Sequence, residues 1–98
     1  MNIHFTARRF KAHDSLRQHA LDAVKKLDRI YDGVIDASII LSYERAYNSV
    51  KIAEIQVKVH GAVLTAVEKS DDFMKSIDAA VEKMERQLRK HKEKLHSR

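Results

Sequence analysis

VKIAEIQVKVH (residues 50–60), followed by Gly61 and AVLTAVEK (residues 62–69), is the stretch whose reading decides the fold. In its first part Ala53, Ile55, Val57 and Val59 alternate with Glu54, Gln56, Lys58 and His60. That period of two is the pattern of a strand with one face packed and the other solvated. Gly61, set between two such runs, marks a tight hairpin in which His60 takes part. The hairpin exposes an apolar face, and the flanking segments must supply further strands and the helices that cover it.

Upstream, VIDASIILSY (34–43) is rich in β-branched residues and too strongly apolar for a surface helix. It reads as a central strand with Ile35, Ala37, Ile39 and Leu41 on the core side, and the polar ERAYNS (44–49) turns it into the hairpin. NIHFTA (2–7) alternates with Ile3, Phe5 and Ala7 on one face, a short strand. Between these strands, Leu16, Ala20, Val24, Leu27 and Tyr31, joined by Ala23 and Ile30, follow the helical repeat. Gly33 is expected to end that helix through its tolerance of positive φ, and the start falls at His13 or Asp14. Ser70, Asp71 and Asp72 suit the opening of a last helix, whose apolar stripe is Phe73, Ile77, Ala80, Val81, Met84 and Leu88. The expected architecture is α+β in the order β-α-β-β-β-α. It comprises a four-stranded, mainly antiparallel sheet with two helices on one face, its first two strands parallel and adjacent.

Ninety-eight residues make one small domain, residues 1–98, with little room for a deep substrate cavity; residues 96–98 are expected to form a flexible C-terminal end. No run approaches the length needed to cross a bilayer, and MNIHFTARRF lacks the apolar segment of a secretory signal. The absence of cysteine removes disulfides and thiol chemistry and fits a reducing compartment, so a cytoplasmic location is expected.

Charge is the most informative part of the composition. Lys and Arg total 19 against 14 Asp and Glu, yet residues 83–98, KMERQLRKHKEKLHSR, hold seven of the cations and two of the anions. The remainder is therefore neutral, with 12 of each sign, and the net charge of +5 resides in this tail. Lys83, Arg86, Lys90 and Lys94 recur at steps of three or four and form one longitudinal row beside the apolar stripe, flanked by Arg89 and Lys92. Glu82 and Glu85 stand four residues before Arg86 and Arg89, each pair worth roughly 0.2–0.5 kcal/mol, which accounts for part of the charge but not for its concentration. Two readings stay open, a solvated helix end that complements the macrodipole and a surface for phosphates. An acidic protein surface and a membrane are weaker readings, the membrane weakest because the stripe is needed to cover the sheet and there is no Trp to sit at an interface. Lys25, Lys26 and Arg29 near the end of the first helix are a second cluster, and Arg8, Arg9 and Lys11 after the first strand a third. Gln87 either adds a directional contact to a bound RNA or is simply solvated. Phe5, Phe73 and Tyr31 read as core; Tyr43 and Tyr47, framing Arg45, either stack on a base or close the turn.

The six histidines, at 4, 13, 19, 60, 91 and 96, include no i, i+4 pair aimed at one metal; Asp71 and Asp72 diverge on a helix. Ser70 and Ser76 lack a nucleophile elbow, and Gly33 and Gly61 are isolated rather than part of a phosphate loop. No catalytic residue, metal or cofactor is expected, and the chain does not read as an enzyme.

DDFMKSIDAAVEKMERQLRKHKEKL (71–95) resembles the second helix of the ribosome hibernation promoting factor family, also called ribosome-associated inhibitors or sigma-54 modulation proteins. The resemblance extends over about the whole chain through NIHFTARRF, SLRQHALDAVKKLDRIYD and ASIILS. It implies a non-enzymatic protein that binds ribosomal RNA of the small ribosomal subunit near the decoding centre. There it sterically blocks messenger and transfer RNA under stress or slow growth. Lys25 and Lys26 match the family's first-helix cations, and Lys83, Arg86, Lys90 and Lys94 its second-helix cations. The family commonly has a Gly and polar residues after the first strand, where this chain has Ala7, Arg8 and Arg9, and a Tyr where Phe73 stands. Ending at Arg98, the chain resembles the short type, without a C-terminal dimerisation domain; it is expected to be a monomer off the ribosome, with a second hibernation factor as a candidate partner in paired ribosomes. Two rivals are a double-stranded-RNA-binding module, opposed by the extra first strand and the charge at the helix C-terminus, and an adaptor that docks an acidic protein.

Overall fold

In the computed structural model, which describes residues 1–47 and 49–96, the alternating segments pair as one sheet. The elements are β1 (Asn2–Ala7), α1 (Asp14–Lys25), α2 (Leu27–Ile30), β2 (Val34–Tyr43), β3 (Lys51–Val59), β4 (Ala62–Ser70) and α3 (Phe73–His96). The spatial order is β1-β2-β3-β4, with β1 parallel to β2 and the other two pairings antiparallel. The crossover through the first helix thus makes the first two strands parallel neighbours, as expected. Gly61, at φ 81°, closes the β3–β4 hairpin in a conformation that residues with a side chain rarely adopt. Of the expected flexible end at residues 96–98, positions 97 and 98 lie outside the described residues, and His96 is the last helical residue.

Ala37, Ile39 and Leu41 of β2, Ala53, Ile55, Val57 and Val59 of β3, and Ala66 of β4 are buried. They meet Ala20, Ala23, Val24 and Leu27 from the first helical region and the full apolar stripe of α3. Ile35 departs from expectation. Val34 pairs with Val59 and Asp36 with Lys58, so a bulge at Ile35 shifts the register by one residue. One extra residue inverts side-chain parity. Val34 is therefore buried and Ile35 is 46% exposed.

The first helix also differs from a single run to Tyr31. Lys26 keeps helical dihedrals, but its N–H reaches Ala23 O at 3.3 Å, three residues back, and separates α1 from the one-turn α2. His13 precedes α1 without a side-chain cap, in keeping with its weakness in that role. Gly33 is not in the left-handed region; among the described glycines only Gly61 is. Its requirement is space: the Tyr31 ring lies where a Cβ on residue 33 would stand. The same ring meets His91 of α3 edge-on, with centroids 5.6 Å apart. Gly33→Ala should therefore displace Tyr31 and destabilise the fold by about 1–3 kcal/mol, read as a lower denaturation midpoint with an unchanged slope.

α3 is anchored at its start. The Asp72 carboxylate accepts from the Met74 N–H at 2.9 Å, a helix cap, and the buried Ser76 hydroxyl donates to Lys51 O at 2.8 Å and lies 2.6 Å from the Ser70 hydroxyl. Phe73 stacks on Phe10 and meets Tyr43 edge-on. Tyr43 thus closes the turn by packing, while Tyr47 is 67% exposed. Phe5, on the edge strand, is half-buried beneath the Arg17 guanidinium.

Candidate nucleic-acid interface

Helical periodicity divides α3 into three stripes. The inward one is apolar and fixes the orientation of the other two. On one flank Asp78 accepts a 2.7 Å hydrogen bond from the His19 ring of α1, and positions 85, 89 and 92 continue that side. On the other flank Gln87 donates to Thr65 O of the edge strand β4 at 2.8 Å, and Lys83, Lys90 and Lys94 lie in line with it at steps of four, three and four. Arg86 stands on the outer crest between them.

Two consequences follow for the expected site. Gln87 has its amide N–H committed to the sheet, so its role in the structure is to tether α3 to β4. The two basic clusters also lie on opposite sides of α3. Lys25, Lys26 and Arg29 sit at the end of α1 and in α2, on the side of Arg89 and Lys92, while Lys83, Lys90 and Lys94 look towards β4. Together they surround the C-terminal half of α3 with exposed cations.

The row is only partly neutralised. Arg86 lies 3.2 Å from Glu82 and Arg89 lies 4.0 Å from Glu85, both exposed i, i+4 pairs of small energetic weight. Among the described residues, Lys83, Lys90 and Lys92 have no ion pair. Lys83, Arg86, Gln87, Arg89, Lys90 and Glu93 line one shallow groove, and Leu64, Gln87, Lys90, His91 and Lys94 a second, between α3 and β4. A convex helix with two open basic furrows can lie against phosphate backbones but cannot enclose a small substrate.

At the other end of the domain a cleft is lined by Arg8, Arg9, Ser42, Tyr43, Glu44 and Arg45. Arg8 is fixed by its N–H to Leu41 O at 2.9 Å, which joins the end of β1 to the end of β2. Lys11 does not line the cleft. Arg45 was not among the residues expected at a site; its only signal in the sequence was its place between Tyr43 and Tyr47. The Glu44 carboxylate turns to Lys69 at 2.9 Å, and that hydrogen bond and charge hold its pKa below the usual carboxylate value.

Comparison with known proteins bears on this geometry. Over 94 residues the chain is 28% identical to a ribosome hibernation promoting factor from Azotobacter vinelandii, covering 96% of this chain and 85% of that protein. It superposes on the N-terminal domain of Protein Y from Thermus thermophilus with a TM-score of 0.79 at 30% identity, covering 93% of this chain and 99% of that one. A ribosomal subunit interface protein from Coxiella burnetii gives the same TM-score at 32% identity, covering 94% and 98%. These likenesses span the sheet and both long helices rather than one motif. With the family model for sigma 54 modulation protein / S30EA ribosomal protein matching residues 3–96, the chain belongs to that family.

Proposed function

We propose that the chain is a ribosome hibernation factor that works without catalysis. It would lie on ribosomal RNA of the small subunit near the decoding centre and exclude messenger and transfer RNA. Family membership supports a ribosome-associated, translation-inhibiting role in the cytoplasm. The observation that carries the finer reading is the α3 surface: Lys83, Arg86, Lys90 and Lys94 stand exposed on a helix held rigidly by its buried stripe. Lys25, Lys26, Arg29, Arg89 and Lys92 extend that surface towards α1, so two phosphate tracks can be met on either side of one helix. Inhibition by occupancy needs only a fixed shape and complementary charge. A second hibernation factor remains a candidate partner in paired ribosomes.

Occupancy makes an ordered prediction. Added to empty ribosomes before messenger and initiator transfer RNA, the protein should block initiation. Added after a stable initiation complex has formed, it should inhibit several-fold less, because its site is filled. Equal inhibition in both orders in a reconstituted translation assay would exclude competition for the RNA path. Co-sedimentation with small subunits before and after RNase treatment separates this reading from an adaptor that docks an acidic protein.

A further inference from the structure

We infer that Arg8, Arg9 and Arg45 form a second phosphate site, at the end of the domain opposite the basic half of α3, which takes the backbone of a separate RNA segment. This rests on the reading of α3 as an RNA surface and adds a second point of attachment. The three arginines come from two distant parts of the chain, the loop after β1 and the β2–β3 turn, line one open cleft and are exposed. Among the described residues none of the three has an ion pair, and the one carboxylate in the cleft wall, Glu44, is engaged by Lys69. Like charges gathered without a counter-ion repel one another, and a bound anion relieves that cost. Ser42 and Tyr43 line the same cleft, the Tyr43 ring being packed against Phe10 and Phe73.

The backbone points the same way. Arg9 has φ 64°, in the left-handed region, where a side chain costs of order 1–2 kcal/mol relative to glycine. The chain thus carries strain at the position where it places one of the three guanidiniums. The site is well separated from the α3 row. Phe73, at the start of α3, touches Tyr43, and residue 83 lies about 15 Å and residue 94 about 30 Å further along the helix axis. Those distances exceed a Debye length of about 8 Å at physiological salt, so the two sites attract phosphates independently. A domain 46 Å long with a cation site at each end is suited to bridge two RNA segments rather than follow one.

The test measures binding of the full chain to purified small ribosomal subunits across a salt series. It compares wild type with Arg8→Ser/Arg45→Ser, with Arg9→Gly and with a charge reversal at Lys83 and Lys90. The double cleft variant is expected to bind roughly tenfold or more weakly, with a salt slope lower in magnitude by about 2. Arg9→Gly is expected to bind several-fold more weakly while its Tm rises by a few degrees, because the same change removes a charge and relieves strain. A photoreactive p-benzoylphenylalanine replacing the exposed Tyr47, next to the cleft, should crosslink to ribosomal RNA. Unchanged affinity and slope in both folded cleft variants, with the Lys83/Lys90 reversal still weakening binding, would overturn this inference and leave the α3 reading standing. Absence of binding by wild type would overturn both. Crosslinks to ribosomal protein alone would assign the cleft to an acidic protein surface and overturn it.

Discussion

Raising monovalent salt fourfold, from about 50 to 200 mM, should weaken binding to small ribosomal subunits by roughly a thousandfold. A protein that neutralises about six phosphates releases their condensed counter-ions, and the slope observed for duplexes then gives that loss. The structure supplies the cations: Lys83, Arg86, Arg89, Lys90 and Lys92 on α3 and Lys25, Lys26 and Arg29 at the end of the first helical region are all exposed. The partial neutralisation of Arg86 and Arg89 by Glu82 and Glu85 lowers the effective number, since those pairs must loosen before phosphate takes over. A titration followed by sedimentation or fluorescence anisotropy over that range reads the slope directly. An affinity that stays constant across it is incompatible with phosphate contacts as the main attraction.

The second large effect separates a positioned surface from bulk charge. Lys83→Glu/Lys90→Glu should weaken binding by about 3 kcal/mol or more, roughly a hundredfold, because two charge-assisted contacts are lost and repulsion replaces them. Lys58→Glu/Lys75→Glu carries the same change in net charge and should alter affinity by no more than a few-fold. The structure dictates this control. Lys58 lies on the open sheet face, and Lys75 is exposed near the α3 start, where a carboxylate suits the helix dipole; its 3.4 Å pair with Asp71 is an exposed i, i+4 contact of small energetic weight. Lys51 and Lys69 would not serve: Lys51 donates to Asp71 O and sits over the Tyr43 ring, and Lys69 holds Glu44 beside the arginine cleft. Circular dichroism and melting must first show both variants folded, since Lys stems also cover apolar surface. Equal losses in the two folded variants would mean that total charge, rather than the α3 row, drives binding.

Local order was legible in the residues themselves. Alternation over 50–59 and 62–69 identified the hairpin, the 3.6-residue repeat identified α3, and both follow from the directions of successive side chains on a strand and a helix. The concentration of cations beyond residue 82 was legible for the same reason, because spacing along one helix decides which charges share a face. What needed the tertiary structure involves residues brought together from far apart. A bulge set by pairing with β3 buried Val34 and exposed Ile35, which a strict period of two assigns the other way. Gly33 answers to the returning Tyr31 ring and not to its own φ. Gln87 has the spacing of an RNA-facing residue, but the position of β4 turns its amide inward to Thr65. The flank of α3 on which each cation lies depends on which neighbour, α1 or β4, packs beside it. The gathering of Arg8 and Arg9 with Arg45 depends on the parallel register that sets Ala7 beside Leu41, a contact across more than thirty positions that no local pattern encodes.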